Sequence, residues 1–234
     1  QVQQLHGNVE LRFALVVYRD VGDAYVTRSF DFASVATFRQ HLAAQNAAGG
    51  GDYPEAMDTA LDAAAKLSWQ ATNGARLVFL IADAPPQPQN VSATLDQMDV
   101  FRRRGVRVYP IAASGAAEEA EFVMRVGAFK TLARYIFLTD DSGYGSSHAD
   151  PNVPPHTPTQ TQEKSCYNVE KLNGLIVRMI ANELAGAARP ATPAEVLHHV
   201  GTPDADGLCD GVLVSLKPDS GTTTALDAGA PPPG

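Results

Sequence analysis

Two aspartates stand where a carboxylate can do chemistry. Asp83 follows the apolar run Leu77 to Ala82 (LVFLIA), and Asp52 follows Gly49-Gly50-Gly51 in the stretch GGGDYPEAM. An acid at the carboxyl end of a buried strand and another in a glycine-rich loop can together hold a hard divalent cation, which prefers oxygen ligands. The glycines leave the backbone free for positive φ and for close approach of a ligand. Each acid also has a plainer role. Asp83 can cap the turn after its strand. Asp52 can be the N-cap of a helix, with Glu55 as capping-box partner and Pro54 in a first turn whose amides have no acceptor. Such a cap contributes about 1 kcal/mol without any metal.

A second group of candidates lies in the polar segment 139–165, rich in Gly, Ser, His and Pro. Placed beside the same sheet edge, its Asp140 and Asp141 offer a second cation site or a partner-binding surface, with His148, Asp150 and His156 close in sequence. His148 and Asp150 with Ser146 or Ser147 suggest a hydrolase, yet neither serine sits in a strand-turn-helix nucleophile elbow. Solvated loop polarity explains the same residues.

Positioning these groups requires alternating strands and helices. Leu77 to Ala82 reads as a parallel strand buried on both faces, and Met57, Leu61, Ala64, Ala65 and Ser68 recur at helical spacing before it. Leu11 to Val17 and Tyr25 to Phe30 read as a hairpin around the turn Asp20-Val21-Gly22-Asp23, with Tyr18-Arg19-Asp20 fixing it. Ser34 is placed to cap a helix carrying Val35, Phe38 and Leu42, and Ser92 to cap one carrying Leu95, Met98 and Phe101. Pro85, Pro86 and Pro88 exclude helix and central strand between them. Val106 to Ala112 is the next strand, Glu118 to Phe129 a helix, and Tyr135 to Leu138 the expected last strand of the sheet. Cys166 to Leu184 reads as one helix with Gly186 as its stop, Thr192 to Glu195 as a capping box opening a short helix, and Gly211 to Leu216 as a strand. The order predicts an α/β fold, a doubly wound, mainly parallel sheet flanked by helices, over residues 1–186. Residues 187–234 form a C-terminal extension whose end has the composition of a flexible tail.

The motifs Tyr18-Arg19-Asp20, Gly49 to Ala56 and Leu77 to Pro86, in this order, resemble those of von Willebrand factor type A domains. The resemblance implies a Rossmann-like sheet with a metal-ion-dependent adhesion site at its carboxyl edge. Asp83 matches the aspartate loop of that site. Gly51 stands where many members have threonine, which leaves Asp52 to bind the ion through water. The family's first strand and its Asp-x-Ser-x-Ser loop are expected before Gln1, on a longer polypeptide or on a separate upstream fragment that supplies the strand. A permuted arrangement with Gly211 to Leu216 as that strand is the alternative. The implied function is adhesion, not catalysis: Mg²⁺, or Mn²⁺ or Ca²⁺, joins the domain to an acidic side chain of a partner protein, in an extracellular or cell-envelope setting. A metal-free interaction module of the same fold is the other reading. Cys166 and Cys209 then suggest a disulfide tying the extension to the domain, with two buried thiols as the alternative.

Composition limits the partners. The 234 residues carry a formal net charge of -8, which argues against nucleic acid or an anionic membrane surface. No apolar run approaches the ~20 residues that span a bilayer. Arg102-Arg103-Arg104 reads as a cationic helix end complementing the dipole, and the two cysteines fit no zinc motif.

Overall fold

The computed structural model describes residues 10–46, 48, 54–70, 74–113, 116–139, 166–186, 189–201, 205 and 211–215. It is a mixed α/β structure. Strands β1 (Phe13–Tyr18) and β2 (Thr27–Ala33) form an antiparallel hairpin, as the sequence predicts, and α1 (Val35–Ala43) follows. Ser34 caps α1 by accepting from the Thr37 amide. Phe13 and Phe38 then pack α1 on the hairpin, their ring centroids 5.5 Å apart.

The remaining strands build a six-stranded sheet. Its order is β3 (Leu77–Ala82), β4 (Arg107–Ala112), β5 (Ile136–Thr139), β8 (Gly211–Ser215), β6 (Cys166–Lys171) and β7 (Val196–Gly201). All neighbours are parallel except β6 and β7. Helices α2 (Met57–Ala65), α3 (Val91–Arg103), α4 (Glu118–Lys130) and α5 (Leu172–Ala185) supply its cover.

Strand β4 shows why the apolar runs carry no alternation. Val108 and Ala112 belong to a cluster with Met57, Leu61, Met98, Phe101 and Met124, while Tyr109 and Ile111 belong to another with Leu175 and Met179 of α5. A strand with helices on both faces is apolar throughout. Pro110 is tolerated there because the β4–β5 ladder begins only at Ile111, so the missing N–H has no partner to lose. Glu183 anchors α5 to β4: it accepts from the Tyr109 hydroxyl at 2.5 Å and pairs with Arg107 at 2.8 Å.

Several local expectations are corrected. Tyr135 to Leu138 is not the last strand, because β8 pairs parallel with β5 and continues the sheet. Residues 166–171 are strand, not helix. Pairing with β8 on one edge and β7 on the other outweighs the helical spacing of Val169 and Leu172. The Thr192–Glu195 box forms, with the Thr192 amide 2.7 Å from the Glu195 carboxylate, but it closes a turn that feeds β7 instead of a helix. Helix α3 starts at Val91 from a 3-10 turn at Pro88–Asn90, so Ser92 is inside it and not its cap. Helix α2 starts at Met57, so its N-cap position falls on Ala56 and not on residue 52, which lies outside the described residues. The cause is upstream: the Glu55 amide donates to the Pro85 carbonyl at 2.9 Å, holding Pro54–Ala56 out of the helix.

Glu121 is buried in α4, 2% exposed, with Arg125 3.5 Å away. Burial raises its carboxyl above the ordinary value of 4.5 despite Arg125 and Tyr135. A folded pKa above the unfolded one means that this group favours folding most below about pH 4.5 and costs stability as pH rises through the shifted window. Glu121→Gln is therefore expected to raise Tm at pH 7 and to flatten the fall in stability as pH rises above about 4.5. Thermal unfolding across that range checks it, and a lower Tm at pH 7 would show that the Arg125 pair dominates.

Candidate functional site

The carboxyl ends of β1 and β3 open into one depression of about 500 Å³, lined among others by Tyr18, Arg19, Asp23, Asn46, Glu55 and Asp83. Three connections shape it. The turn after β1 folds back through Asp23 N to Asp20 O at 3.3 Å and Arg19 N to Val26 O at 2.9 Å. The approach to α2 is tied to the proline loop after β3 by the Glu55–Pro85 hydrogen bond. Gln87 reaches both, with Nε2 3.4 Å from Asp20 Oδ2 and from the Pro54 carbonyl.

The depression is electronegative. Burial raises the Tyr18 hydroxyl well above the usual tyrosine value, and the charges of Glu55 and Asp83 raise it further. Two carboxylates therefore act on the phenol of one half-buried tyrosine. Arg19, in the same lining, donates through Nη2 to the Asn46 carbonyl at 3.0 Å and stacks its guanidinium 4.4 Å over Tyr25. Asp20, 6% exposed, keeps Oδ1 without a hydrogen-bond partner behind the same turn.

Asp83 lies where the sequence places it, exposed at the end of β3. Asp52, Asp140, Asp141, His148 and Asp150 lie outside the described residues, as do Gly49 to Gly51, Ser146, Ser147, His156 and Cys209. Glu55 and Tyr18 were not legible as site residues. Glu55 stands in the same glycine-rich stretch as Asp52, which was the available signal, but its capping spacing pointed elsewhere. Arg102 and Arg104 do serve helix ends, donating to the carbonyls of Lys130 and Ala65.

Among the described residues, no group of three or more His, Cys, Asp or Glu is placed to hold a metal ion. Asp83 and Glu55 line the same depression, and two carboxylates suit a hard dication that keeps several waters, as Mg²⁺ does, better than a cage built wholly from protein. Among the described residues, no helix is long and apolar enough to cross a membrane. Comparison with family models, curated proteins and solved structures finds no match to this chain.

Proposed function

We propose that the chain is a protein-binding module with a doubly wound fold of the von Willebrand factor A kind, using the carboxyl edge of its sheet as the contact surface. Asp83 is the anchoring carboxylate for a divalent cation, with Glu55 beside it and Asp52 acting through water. An acidic side chain of the partner completes the coordination. The supporting observation is that Tyr18, Asp23, Glu55 and Asp83, from three separate segments, line one depression in which the charges of Glu55 and Asp83 act on Tyr18. Such a surface attracts a cation first and, through it, an anionic partner. The reading is of a binder without turnover.

Calorimetric titration with Mg²⁺ and Mn²⁺ tests this. The chain is expected to take up one ion, with affinity falling by more than about tenfold in Asp83→Ala and by less in Asp52→Asn, while far-UV circular dichroism stays unchanged. Equal affinity in the wild-type chain and Asp83→Ala would favour the metal-free interaction module.

A further inference from the structure

A second depression, of about 580 Å³, lies at the amino end of β3 and β4, opposite the end that carries Asp83. It opens where the chain enters β3 through Arg76 and β4 through Gly105 and Val106, beside the ends of α2 and α3. Its described lining holds three arginines, Arg76, Arg103 and Arg104, and no aspartate or glutamate, in a chain of formal net charge -8.

Local contacts place the guanidinium groups. Arg104 donates to the carbonyl of Ala65, the last residue of α2. Arg76 donates through Nη1 to the Gln70 carbonyl at 2.9 Å, and its Nη2 lies against the turn into β4. A Cβ on Gly105 would stand 3.0 Å from that nitrogen, and Gly105 holds φ at +65°. Glycine alone gives this room without strain. Arg103 is exposed and, among the described residues, has no hydrogen bond or ion pair.

Capping accounts for part of this arrangement. Cations complement helix C-termini, but each such end carries only about -0.5 elementary charge, so the ends of α2 and α3 cannot offset three guanidinium groups. Their last carbonyls also have donors: Ala64 O accepts from the Trp69 indole N–H at 2.8 Å, and Phe101 O and Arg102 O accept from the Val106 and Gly105 amides at 2.9 Å. The acids Asp99 and Asp31 stand outside the lining. Asp99 binds Lys130 at 2.8 Å and meets Arg103 through charge alone, and Asp31 accepts from the Ser68 amide at 3.0 Å.

We propose that this depression binds a small phosphate monoester, with the phosphate among Arg76, Arg103 and Arg104 and the organic part against Trp69 and Leu67. Guanidinium forks match phosphate oxygens in pairs, and such charge-assisted bonds are roughly twice as strong as neutral ones. The volume is that of a small-molecule site. The half-buried Trp69 and Leu67 supply an apolar wall. This site needs no divalent cation and stands or falls apart from the carboxyl edge.

Trp69 is the only tryptophan of the chain, so its fluorescence reports from the site. The probes are phenyl phosphate, inorganic phosphate and benzoate, added to the full chain at fixed ionic strength without divalent ions and followed by calorimetry and Trp69 emission. Phenyl phosphate is expected to bind once and to shift Trp69 emission with the same midpoint. Inorganic phosphate, lacking a part for the apolar wall, is expected to bind about fivefold or more weakly, and benzoate, with a single charge, about tenfold more weakly. Arg103→Ala is expected to cost about tenfold in phenyl phosphate affinity with far-UV circular dichroism unchanged. Arg39→Ala, an exposed arginine of α1 outside the lining, is expected to bind as wild type. No binding of phenyl phosphate, equal binding of inorganic phosphate or benzoate, full affinity in Arg103→Ala, loss in Arg39→Ala, or binding that leaves Trp69 emission unmoved would each overturn the proposal.

Discussion

Arg178→Met is expected to destabilise the fold by about 3–5 kcal/mol, because it leaves Glu170 as an unpaired charge in the interior. Arg178 and Glu170 are 4% and 1% exposed, and the arginine donates directly to the Glu170 carboxylate from α5 to β6. Its other arm lies 3.5 Å from Glu195, which also binds Thr192 at the turn before β7. One guanidinium thus ties a helix, a central strand and the turn leading to an edge strand. Burial raises the Glu170 carboxyl above its ordinary value, and Arg178 opposes that shift. Without the arginine, Glu170 must take up a proton or draw water inward. The double variant Glu170→Met/Arg178→Met is expected to recover most of the loss, since a well-packed apolar pair often replaces a buried ion pair at no net cost. Urea unfolding of the single and double variants decides it. A single variant within ~1 kcal/mol of wild type would mean that water already reaches the pair.

Phe101→Ala is the second large effect, expected at about 3–5 kcal/mol for loss of a fully buried aromatic side chain and the cavity left behind. Phe101 is fully buried at the end of α3. Its ring meets Trp69 edge-on at 6.3 Å, and Trp69 meets Phe32 of β2 edge-on at 4.8 Å. Trp69 is held by its indole N–H, which donates to the Ala64 carbonyl at 2.8 Å. This aromatic series couples the hairpin to the larger sheet, which no strand ladder does among the described residues. A two-stranded hairpin is marginal by itself. In Phe101→Ala, amide exchange in β2 is therefore expected to rise more than exchange in β4. Equal loss in both strands would show a single cooperative unit with no special role for the aromatic contacts.

The parts of the fold set by local chemistry were readable. Leu77 to Ala82 and Val108 to Ala112 are unbroken apolar runs, the second because helices cover both faces of β4, and that signal survives without knowledge of neighbours. Ser34 acts within four residues, so its cap was legible too. Positions decided by long-range pairing were not. Cys166–Lys171 becomes strand through partners some thirty to forty-five residues away, at Val196–Gly201 and Gly211–Ser215. Glu55 left the helix because a carbonyl of the proline loop, thirty positions on, captured its amide. The same contact holds Glu55 in the approach to α2, and Glu55 lines the depression that Asp83 also lines. A capping pattern describes which bonds a helix start can make, and a competing acceptor elsewhere in the chain can take them.

The place of Asp83 at the carboxyl end of β3 was legible because the apolar run before it marks the strand. Tyr18 was hidden: its part depends on the hairpin standing beside β3, which no motif encodes.

The most direct measurement is paramagnetic broadening by Mn²⁺ of the assigned amide and tyrosine ring resonances. The account predicts selective broadening at Tyr18, Arg19, Glu55 and Asp83, reversed by excess Mg²⁺ and absent in Asp83→Ala. Broadening spread over the acidic surface, or unchanged in Asp83→Ala, would contradict a cation held at the carboxyl edge.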